Sequence, residues 1–200
     1  MSEIESVLDF WFGACGNDGA LDPAKQKMWF GHSRKHDAEI RKRYAALHER
    51  ACRGELDAEW TQSPRGRLAL ILILDQFSRH IHRGTSLAFA QDPAAQRLAV
   101  DGIERGADRE LAPAGRAFFY LPLEHAEDIE LQRLSVRCFD GLAHTVAQAR
   151  RKDYEGFLDY ARRHCEVIER FGRFPHRNAL LGRASTPEEI EFLKERGSSF

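Results

Sequence analysis

The stretch "RFGRFPHRN", Arg170 to Asn178, sets four residues able to carry positive charge beside two phenylalanines. Gly172 and Pro175 end a helix and turn the chain, so Arg173, His176, Arg177 and Asn178 leave that turn together. Phe171 and Phe174 can anchor it in a core. Arginine forks hold carboxylates or phosphates through paired N–H donors, so the group calls for an acidic partner or an anionic ligand. Acids occur in "LPLEHAEDIELQRL", where Leu131, Leu134, Cys138 and Leu142 form an apolar helical stripe. Extended backwards, that stripe reaches Glu127 and Glu124, with His125 and Asp128 beside them. In "LDQFSRHIHRG", Asp75, Arg79 and Arg83 are four residues apart and share one face of a continuing helix. His164 lies between Phe157 and Ala161 on one side and Ile168 and Phe171 on the other, on an otherwise apolar helix face.

Each motif also has a purely structural reading. First-turn acids complement the positive end of a helix dipole, which accounts for Glu124 better than for Glu127 and Asp128. Asp75, Arg79 and Arg83 would make a salt ladder, although the wholly apolar turn beside them argues against full exposure. His164 would be a hydrogen-bonded core histidine. Together these readings describe a closed network locking three helices, whereas the functional reading gathers the same residues around a ligand.

Those residues need helices to position them. Helical spacing dominates, and no period-2 strand or Asn-Gly hairpin occurs. The spacing predicts a first helix ended by Gly13, followed by the Gly-rich loop "GACGNDG". A second helix opens at Asp22–Pro23, and a third runs from Ser33 to about Cys52. Ser63–Pro64 starts a helix in which "LALILIL" is apolar on every side and forms the buried spine. Further helices are expected from Asp92–Pro93 to near Gly106, from Pro113 to before Pro122, and from about Leu123 to Ala149. Asp153 would cap a helix to Phe171, and "STPEE" would open the last one before the frayed tail "RGSSF". Roughly eight to ten helices with short joints imply antiparallel hairpins stacked as a bundle or a curved superhelix, an all-α single domain over 1–200.

Composition excludes several classes. Thirty basic against 31 acidic residues leave a net charge of −1, so no overall field would recruit nucleic acid or an anionic membrane. Cys15, Cys52, Cys138 and Cys165 are widely spaced, as expected of reduced thiols in a cytoplasmic protein. The acidic start "MSEIESVLDFWFG" is unlike a signal peptide, and the run Leu68–Leu74 is too short to span a bilayer. No H-E-x-x-H, G-x-S-x-G, phosphate-cradling or dinucleotide-binding glycine pattern occurs, and no metal or cofactor is assigned.

The segments "VLDFWFG", "LALILILDQFSRHIHRGT", "AFFYLPLEHAED" and "RFGRFPHRNALLGRAST", in that order, resemble the bacterial family called domain of unknown function 924. The resemblance covers nearly the whole chain and implies an all-α fold similar to tetratricopeptide-repeat superhelices, with no activity to carry over. The chain departs from the family pattern at Ser78, His80 and His82, where proline, asparagine and an aromatic are implied. At Ala126 the pattern implies serine, which speaks against a serine nucleophile there.

The favoured expectation is a helical binding module whose Arg/His/acid cluster takes a peptide, a protein or a small polar ligand. Its residues are Asp75, Arg79, Arg83, Glu124, His125, Glu127, Asp128, His164, Arg173, His176, Arg177 and Asn178. A second expectation is a hydrolase-like enzyme, with or without a metal, in which the acids act as bases and an arginine neutralises an anionic transition state. A third makes the "RFGRFPHRN" turn an RNA contact, against which the overall charge weighs.

Overall fold

Helix starts fall where short polar side chains and prolines favour them. In the computed structural model, which describes residues 1–13, 15 and 18–198, the helices are α1 (Glu3–Phe12), α2 (Pro23–Phe30), α3 (Arg34–Cys52), α4 (Asp57–Trp60), α5 (Pro64–Leu72), α6 (Ser78–Ile81), α7 (Asp92–Glu104), α8 (Pro113–Glu124), α9 (Ile129–Thr145), α10 (Gln148–Phe171) and α11 (Pro187–Phe192). No strand occurs among the described residues, and the fold is all-α. Ala14, Gly16 and Asn17 of the expected glycine-rich loop lie outside the described residues, as do Ser199 and Phe200 of the expected frayed tail.

Ser2, Asp22 and Ser63 each accept a backbone N–H at the start of their helix, satisfying amides that lack intrahelical partners. Thr186 and Glu189 form a reciprocal capping box on α11. Gly13 ends α1 with φ 59°, a left-handed conformation that a side chain would oppose.

The apolar run Leu68–Leu74 is the spine, with each residue at most 3% exposed. Burying such side chains contributes roughly 1.5–3 kcal/mol each. Trp11 lies against Trp29, Phe77 and Phe118, and the main core draws residues from Val7 in α1 to Ala161 in α10. Between α7 and α8 the fit leaves no room for a methyl group at Gly102. A Cβ there would meet the Phe119 ring at 2.4 Å and the Arg67 side chain at 2.7 Å.

Three boundaries correct the expected ones, and they decide where the acids go. The helix from Pro113 does not stop before Pro122; it carries Pro122 in its last turns and ends at Glu124. Pro122 forgoes the bond to the carbonyl four residues back, and the helix closes two residues after it. No continuous helix runs from Leu123 to Ala149. Asp128 accepts the amides of Glu130 and Leu131 at 2.9 and 3.0 Å and starts α9 afresh, and α9 ends at Thr145. Finally, α10 begins at Gln148, which puts Asp153 inside it rather than at its cap.

At the end of the spine the chain widens into a π-helical turn, Ile73–Phe77, before α6. Such turns carry an extra residue and often occur at functional sites. Here the wide turn buries Asp75 completely, and the Asp75 carbonyl accepts from Arg79 Nη1 at 2.8 Å.

Candidate functional site

The π-helical turn, the end of α8, the start of α7 and the turn after α10 bring their polar side chains together. Asp75 Oδ1 lies 2.8 Å from His125 Nδ1 and 2.9 Å from Arg79 Nη1. The Arg79 guanidinium also binds both oxygens of Asp92, at 3.0 and 3.1 Å. Arg177 continues the chain of charges, with Nη1 3.4 Å from Asp92 Oδ2. Its guanidinium carbon lies 4.7 Å from the Phe89 ring centre and 4.4 Å from that of Phe174, so two aromatic faces hold it.

Glu124 closes the other end. It sits at the C-terminus of α8, where the helix dipole disfavours negative charge, so the dipole account of its position does not apply. His164 Nδ1 donates to the Tyr160 carbonyl at 2.9 Å and lies 3.5 Å from Glu124 Oε1. Gln132 donates to the Glu124 and Ala126 carbonyls at 2.6 and 2.7 Å, fixing the turn between α8 and α9.

Burial and neighbouring charge push these groups apart. Burial alone would raise Asp75, but Arg79 and His125 outweigh it and hold the carboxyl well below the usual range. Glu124, buried without a cation and facing the Asp75 charge, is pushed up to about 8. Burial lowers His125, with Arg79 adding to it, and takes His164 to about 3 and His176 to about 4. Burial and the Arg79 charge lower Arg177 to about 10. At neutral pH the cluster therefore pairs an ionised aspartate with a protonated glutamate.

Among the described residues, nothing hydrogen-bonds to the buried Arg177 Nε or to the buried Glu124 Oε2. Their side chains are 7% and 5% exposed. A buried polar group left in this way costs roughly 1–3 kcal/mol, and a native structure retains it where something else satisfies it. The cluster is not sealed, because Arg79, Phe89, His125 and His176 are all partly exposed.

Of the expected site residues, Asp75, Arg79, Glu124, His125, His164 and Arg177 converge here, with His176 at the edge, its ring 5.6 Å from that of Phe174. The others are engaged elsewhere. Arg83 does not share a face with Asp75 and Arg79, because α6 ends at Ile81; it pairs with Asp37 at 2.7 and 2.9 Å. The expected pairing of the turn's cations with Glu124, Glu127 and Asp128 is also corrected. Arg173 binds Glu189 at 2.6 and 2.8 Å, and Asn178 joins Ser185, Glu189 and Arg183. Glu127 takes the Phe174 amide at 2.8 Å and the Arg183 fork, and Asp128 is an exposed helix cap. These contacts fold the "RFGRFPHRN" turn onto α11 and the α8–α9 turn.

The residues that sequence reasoning missed are Asp92 and Phe89. Asp92–Pro93 carries a helix-start signal, and that signal hid an aspartate whose partners are two distant arginines. Among the described residues, no group of three or more His, Cys, Asp or Glu is placed to hold a metal ion. No helix among them is long and apolar enough to cross a membrane.

Comparison with known proteins adds a family but no chemistry. The model of a family described as bacterial protein of unknown function (DUF924) matches residues 7–197. A solved structure of a protein of unknown function from Agrobacterium tumefaciens is 37% identical and superposes with a TM-score of 0.80, covering 96% of each chain. No curated protein matches the chain.

Proposed function

Since the chain belongs to this bacterial family of unknown function, we propose its function from the geometry: it binds a small anionic ligand at the Asp75–Arg79–Asp92–Arg177 cluster. The observation that carries the reading is Arg177 Nε, a buried cationic donor without an acceptor among the described residues, at a partly open edge. An anionic oxygen would complete it, and Phe89 and Phe174 already fix the guanidinium plane. The largely buried setting favours a small ligand over the peptide or protein also expected from the sequence.

The test is a thermal-shift panel of lactate, succinate, citrate and inorganic phosphate on the wild-type chain and on Arg177→Gln. At least one anion should stabilise the wild type, by RT ln(1 + [L]/Kd), and lose its effect on the variant. Wild-type melting that no anion raises, or an equal rise in both proteins, would overturn the reading.

A hydrolase-like or other acid–base activity is the second reading. It is favoured by two carboxyls pushed in opposite directions, Asp75 down and Glu124 up, beside the largely buried His125. The "RFGRFPHRN" turn gives little support to RNA contact, since Arg173 and Arg177 are already engaged by Glu189 and Asp92. The proposal takes 1–200 as one domain, supported by a core drawn from α1 to α10. It takes the helices as tetratricopeptide-like stacked hairpins, supported by the two-residue joint that turns α10 back along α9. Four free thiols fit a cytoplasmic setting.

A further inference from the structure

The unused valences of the cluster differ in kind. Arg177 Nε–H is a cationic donor and requires an anionic oxygen. His125 offers the opposite. Its Nδ1 faces Asp75, and an ionised carboxylate only accepts, so Nδ1 carries the proton and Nε2 presents a lone pair. No described residue hydrogen-bonds to Nε2, and the side chain is 15% exposed. Glu124 Oε2 belongs to a carboxyl group that can donate or accept. The three residues lie along one continuous string of contacts, Arg177–Asp92–Arg79–Asp75–His125 and then across the His164 ring to Glu124.

Formal charge limits the ligand further. Asp75 and Asp92 balance Arg79 and Arg177 in their pairings. A monoanion adds one charge beside a carboxyl group able to donate, whereas a dianion adds two in a poorly hydrated site. The donor that His125 Nε2 accepts is better neutral than cationic, because the Arg79 guanidinium already bears on His125 and an ammonium would have to be desolvated near it.

We propose that the ligand is a small 2-hydroxycarboxylate monoanion, its carboxylate held by Arg177 and its hydroxyl donating to His125 Nε2. This rests on the anion-site reading above and narrows it to one chemical class. A site built around a ligand hydroxyl rejects the analogue that lacks it, because its own buried group is then left unpaired.

The experiment is isothermal titration calorimetry of the full chain with lactate, propionate, alanine and inorganic phosphate as probes. Lactate should bind at least about tenfold more tightly than each of the others. His125→Phe should bring lactate down to the level of propionate, and Arg177→Gln should remove both. Should Arg177→Gln fail to fold, the wild-type ratios and His125→Phe still decide. Equal affinities for lactate and propionate, or tighter binding of phosphate or alanine, would overturn the ligand class while leaving an anion site standing. No binding by any probe would overturn both.

Discussion

Replacing Glu124 with glutamine removes one titration from the interior and should change how stability depends on pH. Glu124 is buried, has no cation beside it and faces Asp75, which together lift it from 4.5 to about 8. Between those values the native chain keeps a proton that the unfolded chain releases. The glutamate's contribution is therefore complete below pH 4.5, declines as pH rises, and is lost once the pH passes about 8. The slope is about 1.4 kcal/mol per pH unit, or ~5 kcal/mol across the window if the site stays unrelaxed. Glutamine has nearly the same shape and no charge to bury. Urea unfolding of wild type and Glu124→Gln at half-unit steps from pH 5 to 8.5 gives the difference directly, and other titrating groups cancel. The variant should gain on the wild type steadily with pH. A difference that stays constant over this range would mean that Glu124 ionises as freely in the native chain as in the unfolded one, and the account of its burial would be wrong.

Three further outcomes follow from the packing. Asp92→Ala strips the shared carboxylate from Arg79 and Arg177 and should cost about 3–5 kcal/mol in chemical denaturation; a loss below about 1 kcal/mol would show that the arginines find other partners. Gly102→Ala drives a methyl group into Phe119 and Arg67 and should cost about 1–3 kcal/mol, read from the urea midpoint. Arg83→Ala breaks an ion pair with Asp37 at the surface, so it should cost under about 1 kcal/mol and leave lactate affinity unchanged in calorimetry.

What the sequence made legible was local. The apolar run Leu68–Leu74 could only be buried, and Asp22–Pro23, Ser63–Pro64 and Thr186–Glu189 mark helix starts because their side chains cap locally. The break between α8 and α9 contains neither glycine nor proline, so a stripe running back through Glu127 looked continuous. Asp128, standing just before the spaced apolar positions Ile129, Leu131 and Leu134, carried the cap signal that would have found it. Site membership depended on distance in the chain. Asp75 and Arg79 were visible as neighbours one turn apart, whereas the link from Arg79 through Asp92 to Arg177 spans residues that no local spacing connects. The acidic partners of the "RFGRFPHRN" turn were expected in one segment, yet its arginines divide among Asp92, Glu188 and Glu189 because α11 packs back onto the turn.

The most direct measurement of the central claim is a long-range ¹H–¹⁵N spectrum of the imidazole groups at pH 7, recorded without and with lactate. Without ligand, His125 should be the neutral tautomer protonated at Nδ1, because Asp75 accepts from that nitrogen and burial disfavours a second proton. Lactate should shift the His125 Nε2 resonance toward that of a hydrogen-bonded acceptor and leave Nδ1 in place. A doubly protonated His125 in the free protein, or an Nε2 resonance that lactate does not move, would contradict it.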